Sequence, residues 1–133
     1  MENEVRMSSM GKTWILDLDG TILKHNGYKI DGKDSFLPGA REFLLSLPET
    51  DMIVFLTSRK DEMVDGKERQ IQKETEDFLK ENGIRYDHII YNAPYGERIL
   101  INDSKPSGLP MAFAFRPKRD ELFEEEVVID EEL

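Results

Sequence analysis

The string Asp17-Leu18-Asp19-Gly20-Thr21 sets two carboxylates one residue apart, directly after the apolar run Thr13-Trp14-Ile15-Leu16. Residues at i and i+2 of a strand point to the same side, so Asp17 and Asp19 repel until a cation or a proton relieves them. Either remedy suits phosphoryl transfer, in which a divalent metal neutralises phosphate oxygens, one carboxylate attacks phosphorus and the other protonates the leaving oxygen. Gly20 gives backbone freedom and a small footprint, which lets a phosphate approach main-chain N–H groups. Thr21 adds a hydroxyl donor. A lone Asp-x-Asp reads as a solvated acidic turn; the whole string behind a hydrophobic strand points to chemistry.

Such a pair needs a strand end to stand on, and open α/β sheets place their chemistry where strands end. The apolar run predicts a first strand over about 13 to 19, closed by the Asp-Gly turn signal. Residues Ile22 to Ile30 read as a small hairpin around Asn26-Gly27, a pair that type I′ turns favour. A helix follows Pro38 from Gly39 to about Leu47, with Ala40, Phe43, Leu44 and Leu47 on one face. Met52 to Thr57 is the second strand. A second helix runs from about Lys67 to Asn82, with Ile71, Thr75, Phe78 and Leu79 inward and Gly83 as its stop. Further strands are expected near His88 to Asn92, Arg98 to Asn102 and Met111 to Phe115. Alternation of this kind signals a mainly parallel sheet built from right-handed crossovers. Only Ala93 to Glu97 separates two of the strands, too few residues for a parallel crossover.

Three segments in this order resemble the motifs of the haloacid dehalogenase-like (HAD) phosphohydrolases. Asp17-Leu18-Asp19-Gly20-Thr21 is similar to the first motif. The run Met52-Ile53-Val54-Phe55-Leu56 into Thr57-Ser58-Arg59 is similar to the second. Arg98-Ile99-Leu100-Ile101-Asn102-Asp103-Ser104-Lys105 matches the last in outline. The resemblance implies a Rossmann-like three-layer α/β/α fold over residues 1–119, with a small β-hairpin flap at about 22–38 and no full cap domain, the second insertion being only Lys60 to Gly66. It implies Asp17 as nucleophile, forming an aspartyl-phosphate, and Asp19 as acid and then base. Mg²⁺ would be held by Asp17, by Asp19 through its main-chain carbonyl, and by Asp103. Gly20, Thr57, Ser58 and Arg59 would meet the phosphate, with Lys105 as its cation and Arg98, Lys80 and Lys73 as weaker options. Lys24, His25, Tyr28 and Arg59 are the side chains placed to touch a leaving group. The partner implied is a small-molecule phosphate ester, with the open site accepting a larger substrate end or closed by a neighbouring subunit in a homo-oligomer. Asn102-Asp103-Ser104-Lys105-Pro106 is similar to strings in small phosphatase-like proteins linked to capsule and surface-polysaccharide genes, which points toward a sugar phosphate.

Composition agrees with a compact enzyme. The chain has 133 residues, 38% of them hydrophobic, which supports one domain with a modest core. No apolar run approaches the roughly 18 residues of a membrane span, and Met1-Glu2-Asn3-Glu4 is too polar for a secretory leader. The absence of cysteine excludes disulfides and thiolate metal sites and fits a cytoplasmic protein. A net charge of −10 argues against a nucleic-acid partner, although Asp120 to Leu133 holds eight acids and no base, so the first 119 residues carry only −2. That acidic tail reads as solvated, with Val127-Val128-Ile129 keeping an added edge strand open.

A receiver domain also phosphorylates an Asp with Mg²⁺, but it carries its acid pair and its phosphorylated Asp on different strands. Here both acids share one. The rival that stands is a catalytically degenerate HAD-like scaffold acting as a binding or regulatory module. It draws on Asn102, where relatives often have a first acid, and on the absence of any lysine between Glu81 and Ser104.

Overall fold

The computed structural model describes residues 4–133, and the polar start Met1-Glu2-Asn3 lies outside them. Along the described chain run β1 (Glu4–Met7), β2 (Thr13–Leu16), α1 (Gly27–Ile30), α2 (Ala40–Ser46), β3 (Met52–Leu56), β4 (Glu62–Val64), β5 (Lys67–Arg69), α3 (Ile71–Glu81), β6 (His88–Ile90) and β7 (Glu126–Ile129).

The apolar strands β2, β3 and β6 form one parallel sheet in that order, with Leu16 opposite Phe55 and Phe55 opposite Ile89. Because the order never reverses, two right-handed crossovers carry α2 and α3 to the same face. Leu16, Ile53 and Phe55 meet Ala40 and Leu44 of α2 and Leu79 of α3 there. Arg41 ties the helices together by donating to the Asn82 carbonyl at the end of α3. Phe55 and Leu79 have no exposed surface, and each contributes about 1.5–3 kcal/mol by burial. On the opposite face Ile15, Met52 and Ile90 are exposed. The chain is therefore α/β with a parallel sheet, as expected, but the second helical layer of a three-layer fold is not found among the described residues. The strand expected at Arg98 to Asn102 does not form, so among the described residues nothing extends the sheet past β2 or reverses its order.

The two longer helices follow their sequence signals. Gly39 enters α2 at φ 84°, and a Cβ there would stand 2.6 Å from the Phe123 carbonyl oxygen. In α3 the expected inner residues Ile71, Thr75 and Leu79 are buried, and Phe78 packs on Phe36 at 5.1 Å. Gly83 stops the helix at φ 72°.

Three local expectations are corrected. Residues 22 to 30 do not make a hairpin. Asn26 adopts φ 55°, but Gly27 opens the short helix α1 instead of taking the second positive φ that a type I′ turn needs. That path buries Tyr28 and lets Leu23 pair with Phe36. The hairpin occurs instead at β4 and β5, around Asp65-Gly66 with φ 52° and 78°. It takes Lys67 to Arg69 out of the expected helix, which starts at Ile71. The strand expected at Met111 to Phe115 is also absent.

The acidic end is docked and not solvated, and its strand forms a two-stranded sheet of its own with β1 instead of adding an edge to the main sheet. Phe123 packs on Phe43 at 4.6 Å, and β7 pairs in parallel with β1, Val127 opposite Val5. Among the described residues no helix is long and apolar enough to cross a membrane.

At the opposite end of the sheet from Asp17, Asp51 is buried just before β3. It accepts hydrogen bonds from the Lys12 N–H at 3.0 Å and Trp14 Nε1 at 2.9 Å. Asp51→Ala leaves both donors without a partner, and a loss of about 1–3 kcal/mol is expected. Urea unfolding followed by fluorescence of the single tryptophan measures it.

Candidate active site

Asp17 follows Leu16 at the end of β2, and Thr57 follows Leu56 at the end of β3. The register of Leu16 with Phe55 sets these two strand ends side by side. After Leu18 the chain turns sharply, with the N–H groups of Thr21, Ile22 and Leu23 all donating to the Leu18 carbonyl. Gly20 sits in this turn at φ 85°, and a Cβ would meet Arg119 Cγ at 2.8 Å. The Asp120 N–H donates to the Gly20 carbonyl, and Asp120 Oδ1 accepts the His25 N–H at 2.7 Å, so the start of the C-terminal segment packs against the acidic turn.

The two aspartates differ in their partners. Asp17 keeps solvent access and accepts one side-chain hydrogen bond, from Thr21 Oγ1 at 3.2 Å. Its carboxyl is held above the ordinary value, first by desolvation and then by the Asp19 charge, while Thr21, the Leu18 N–H and Arg98 pull it down. A raised folded-state pKa penalises the charged form, so this cost is full at neutral pH, fades as pH falls through the raised value and is gone below the unfolded value of 3.8. Asp17→Asn is therefore expected to melt higher than the native protein at pH 7. The gap should close as pH drops below the unfolded value; equal melting temperatures at both pH values would refute this.

Asp19 is clamped by Arg59. The guanidinium donates from Nε to Asp19 Oδ2 at 3.0 Å and from Nη2 to Oδ1 at 2.9 Å. It also donates to both oxygens of Asp34, at 2.7 and 2.9 Å, and to Thr75 Oγ1 at 2.8 Å. The Tyr28 ring lies 4.2 Å from its central carbon. Burial opposes its charge, but the hydrogen bonds it donates to Asp34 and Asp19 outweigh that, and its pKa is raised further. All five N–H donors are engaged, so Arg59 is not free for a phosphate or a leaving group. Its position corrects the expectation from sequence.

Thr57 is buried, and its Oγ1 accepts the Arg59 N–H at 3.1 Å, leaving its own proton to donate. Ser58 Oγ accepts from Arg98 Nη2 at 3.3 Å. Arg98 is thus the cation brought to Asp17 and Ser58. Lys105, preferred from sequence, is exposed at the turn that Leu109 closes and forms no hydrogen bond or ion pair with Asp17 or Ser58, Lys73 pairs with Asp77, and Lys24 pairs with Asp31. Tyr28 is buried with its ring against Arg59. Asp103 is exposed, and among the described residues no three acids or histidines stand close enough to hold a metal.

No protein-family model, curated protein or solved structure matches this chain.

Sequence reasoning missed Asp34, Thr75 and Arg119. Asp34 lies in a polar loop and Thr75 on a helix face, and neither carries a local signal for a partner on another element.

Proposed function

We propose that this chain is a phosphohydrolase of the HAD-like, Rossmann-like type, cleaving a phosphate monoester such as a sugar phosphate through an aspartyl-phosphate on Asp17. The observation that carries the reading is the pairing of strand ends. Asp17 has a lightly bonded carboxylate, and beside it stand a buried hydroxyl (Thr57), a second hydroxyl (Ser58), a positive-φ glycine (Gly20) and a guanidinium (Arg98). An anion entering here meets donors on one side and a nucleophile on the other.

Mg²⁺ fits this site in part. The desolvated Asp17 carboxylate beside a second acid is an environment that a cation relieves, and the Asp19 carbonyl can add a ligand, while Asp103 stands apart. Bound there, the metal would neutralise phosphate oxygens. The chain's own residues then divide the work. Asp17 attacks phosphorus, Thr57 and Ser58 donate to the non-bridging oxygens, and Arg98 balances their charge. Asp19, held in position by Arg59, takes a proton from solvent on an outward lone pair and hands it to the leaving oxygen as the ester P–O bond breaks. It then accepts a proton from the water that attacks the aspartyl-phosphate, which frees Asp17 and inorganic phosphate.

The clamp on Asp19 and the distance of Asp103 favour a second reading, a scaffold that binds and does not turn over. Phosphate release from phosphorylated sugars, nucleotides and an aryl phosphate, with and without Mg²⁺, separates them. Magnesium-dependent turnover supports the enzyme; no turnover on any compound and no Mg²⁺ binding support the scaffold.

A further inference from the structure

Arg119 is a cation that the fold fixes beside the acid pair and leaves unpaired. Its stem lies across Gly20, with Cγ, Nε and Cδ at 2.8, 3.4 and 3.5 Å from the position a Cβ would take there. A side chain at position 20 would displace it. Arg119 is exposed, and among the described residues its five N–H donors make no hydrogen bond and no ion pair. Acids are not scarce, since the chain has 28 of them against 18 bases. The two nearest in sequence to Gly20 are engaged elsewhere, Asp19 by Arg59 and Asp17 by the Thr21 hydroxyl.

The backbone that carries Arg119 is held under strain. Asp120 adopts φ 60°, a left-handed conformation uncommon outside glycine. Two hydrogen bonds keep it so: its N–H donates to the Gly20 carbonyl at 2.9 Å, and its Oδ1 accepts the His25 N–H at 2.7 Å. Three residues on, Phe123 N–H donates to the Pro38 carbonyl at 2.9 Å. Backbone held in such conformations gathers at functional sites. His25 adds a second unmet group, because its Nδ1 is buried with no hydrogen-bond partner among the described residues, and few polar atoms in a native chain are left so.

The main chain of the acidic turn has no donor to offer an anion on this side. Gly20 N–H goes to the Leu23 carbonyl at 2.7 Å, and those of Thr21, Ile22 and Leu23 go to the Leu18 carbonyl. A side chain must supply the donors, and Arg119 is the one that lies on the turn. The two arginines divide by position. Arg98 stands on Ser58 after β3 and pulls the Asp17 carboxyl down, which suits the transferred phosphate. Arg119 covers the residue after Asp19, the acid that serves the leaving oxygen. A guanidinium fork matches a carboxylate or a phosphate with two parallel hydrogen bonds.

Resting on the phosphohydrolase reading above, we infer that Arg119 binds a second oxyanion on the leaving group. The substrate is then a phosphate ester that carries a further carboxylate or phosphate, as a phosphorylated sugar acid or a bisphosphate does.

The test compares phenyl phosphate with phenyl phosphates bearing a carboxylate or a phosphonate at each ring position, with Mg²⁺ present. For native protein at least one charged ester should exceed phenyl phosphate in kcat/KM by about tenfold or more, the scale of a charge-assisted hydrogen bond, and the larger gain names the anion. Arg119→Ala should remove that gain through KM, as loss of binding shared by ground and transition states does, and Arg119→Lys should return part of it. Lys118→Ala deletes the same charge at the exposed neighbouring residue and should keep the gain. Three results overturn the inference: no gain for any charged ester, a gain that survives Arg119→Ala, or an equal loss on phenyl phosphate, which assigns Arg119 to the transferred phosphate. If no ester turns over, the phosphohydrolase reading fails by itself, and calorimetric titration with the same esters decides the site. Tighter binding of a charged ester that Arg119→Ala abolishes upholds it; equal binding of all the esters, or none, overturns it.

Discussion

Asp17→Asn is expected to lower magnesium-dependent phosphate release by about four orders of magnitude or more, the scale seen when a nucleophile is removed from a site that acts as a unit. The amide matches the carboxylate in shape, and its oxygen can still accept the Thr21 hydroxyl. What disappears is the attacking oxygen and its charge. The substitution also relieves the desolvation and Asp19 repulsion that raise the Asp17 carboxyl, so the variant should be the more stable protein at pH 7. Loss of activity in a better-folded chain cannot be attributed to unfolding. Single-turnover assays of native and variant protein at saturating Mg²⁺ make the comparison, and residual activity within tenfold of native would assign the chemistry to another residue.

The largest stability effect is expected at Arg59. Its side chain is 1% exposed, against 4% for Asp34 and 18% for Asp19. Arg59→Met keeps most of the volume but strands two carboxylates and the Thr75 hydroxyl. Removing one partner from a buried ion pair costs about 3–5 kcal/mol, a large fraction of the roughly 5–15 kcal/mol that holds a domain together. Arg59→Lys should recover only part of this, because an ammonium is a point charge and cannot offer paired donors to two carboxylates at once. Denaturant midpoints of the three proteins decide it; a loss below about 1 kcal/mol for Arg59→Met, the range of an exposed pair, would show that the clamp is solvated.

Both predictions concern one strand end, and the sequence made only half of it legible. The Asp17–Thr21 string declares itself because its information is local: an apolar run, a carboxylate spacing of two and a glycine that turns the chain. The helices α2 and α3 were legible for the same reason, since Ala40 with Leu44 and Ile71 with Thr75 and Leu79 repeat at the period of a helical face. Asp65-Gly66 carried an equally local hairpin signal that the helical pattern after it obscured.

What lay beyond reading is whatever depends on chain path. Arg59 finds Asp19 and Asp34 at separations of 40 and 25 residues, and only folding turns a residue expected to hold phosphate into the clamp on its neighbour. Glu4–Met7 pairs with Glu126–Ile129 from opposite ends of the chain, which converts an acidic tail into a strand. Ile99 to Ile101 has a strand's composition, yet the seven residues Tyr91 to Glu97 that link it to β6 are too few for a parallel crossover, and it forms no strand. The sequence by itself determined the acid pair, the strand beneath it and the helical faces, because side-chain periodicity and turn chemistry act within a few residues. Tertiary structure alone decided which charges meet and which apolar run stays exposed, because both follow from where distant segments are carried.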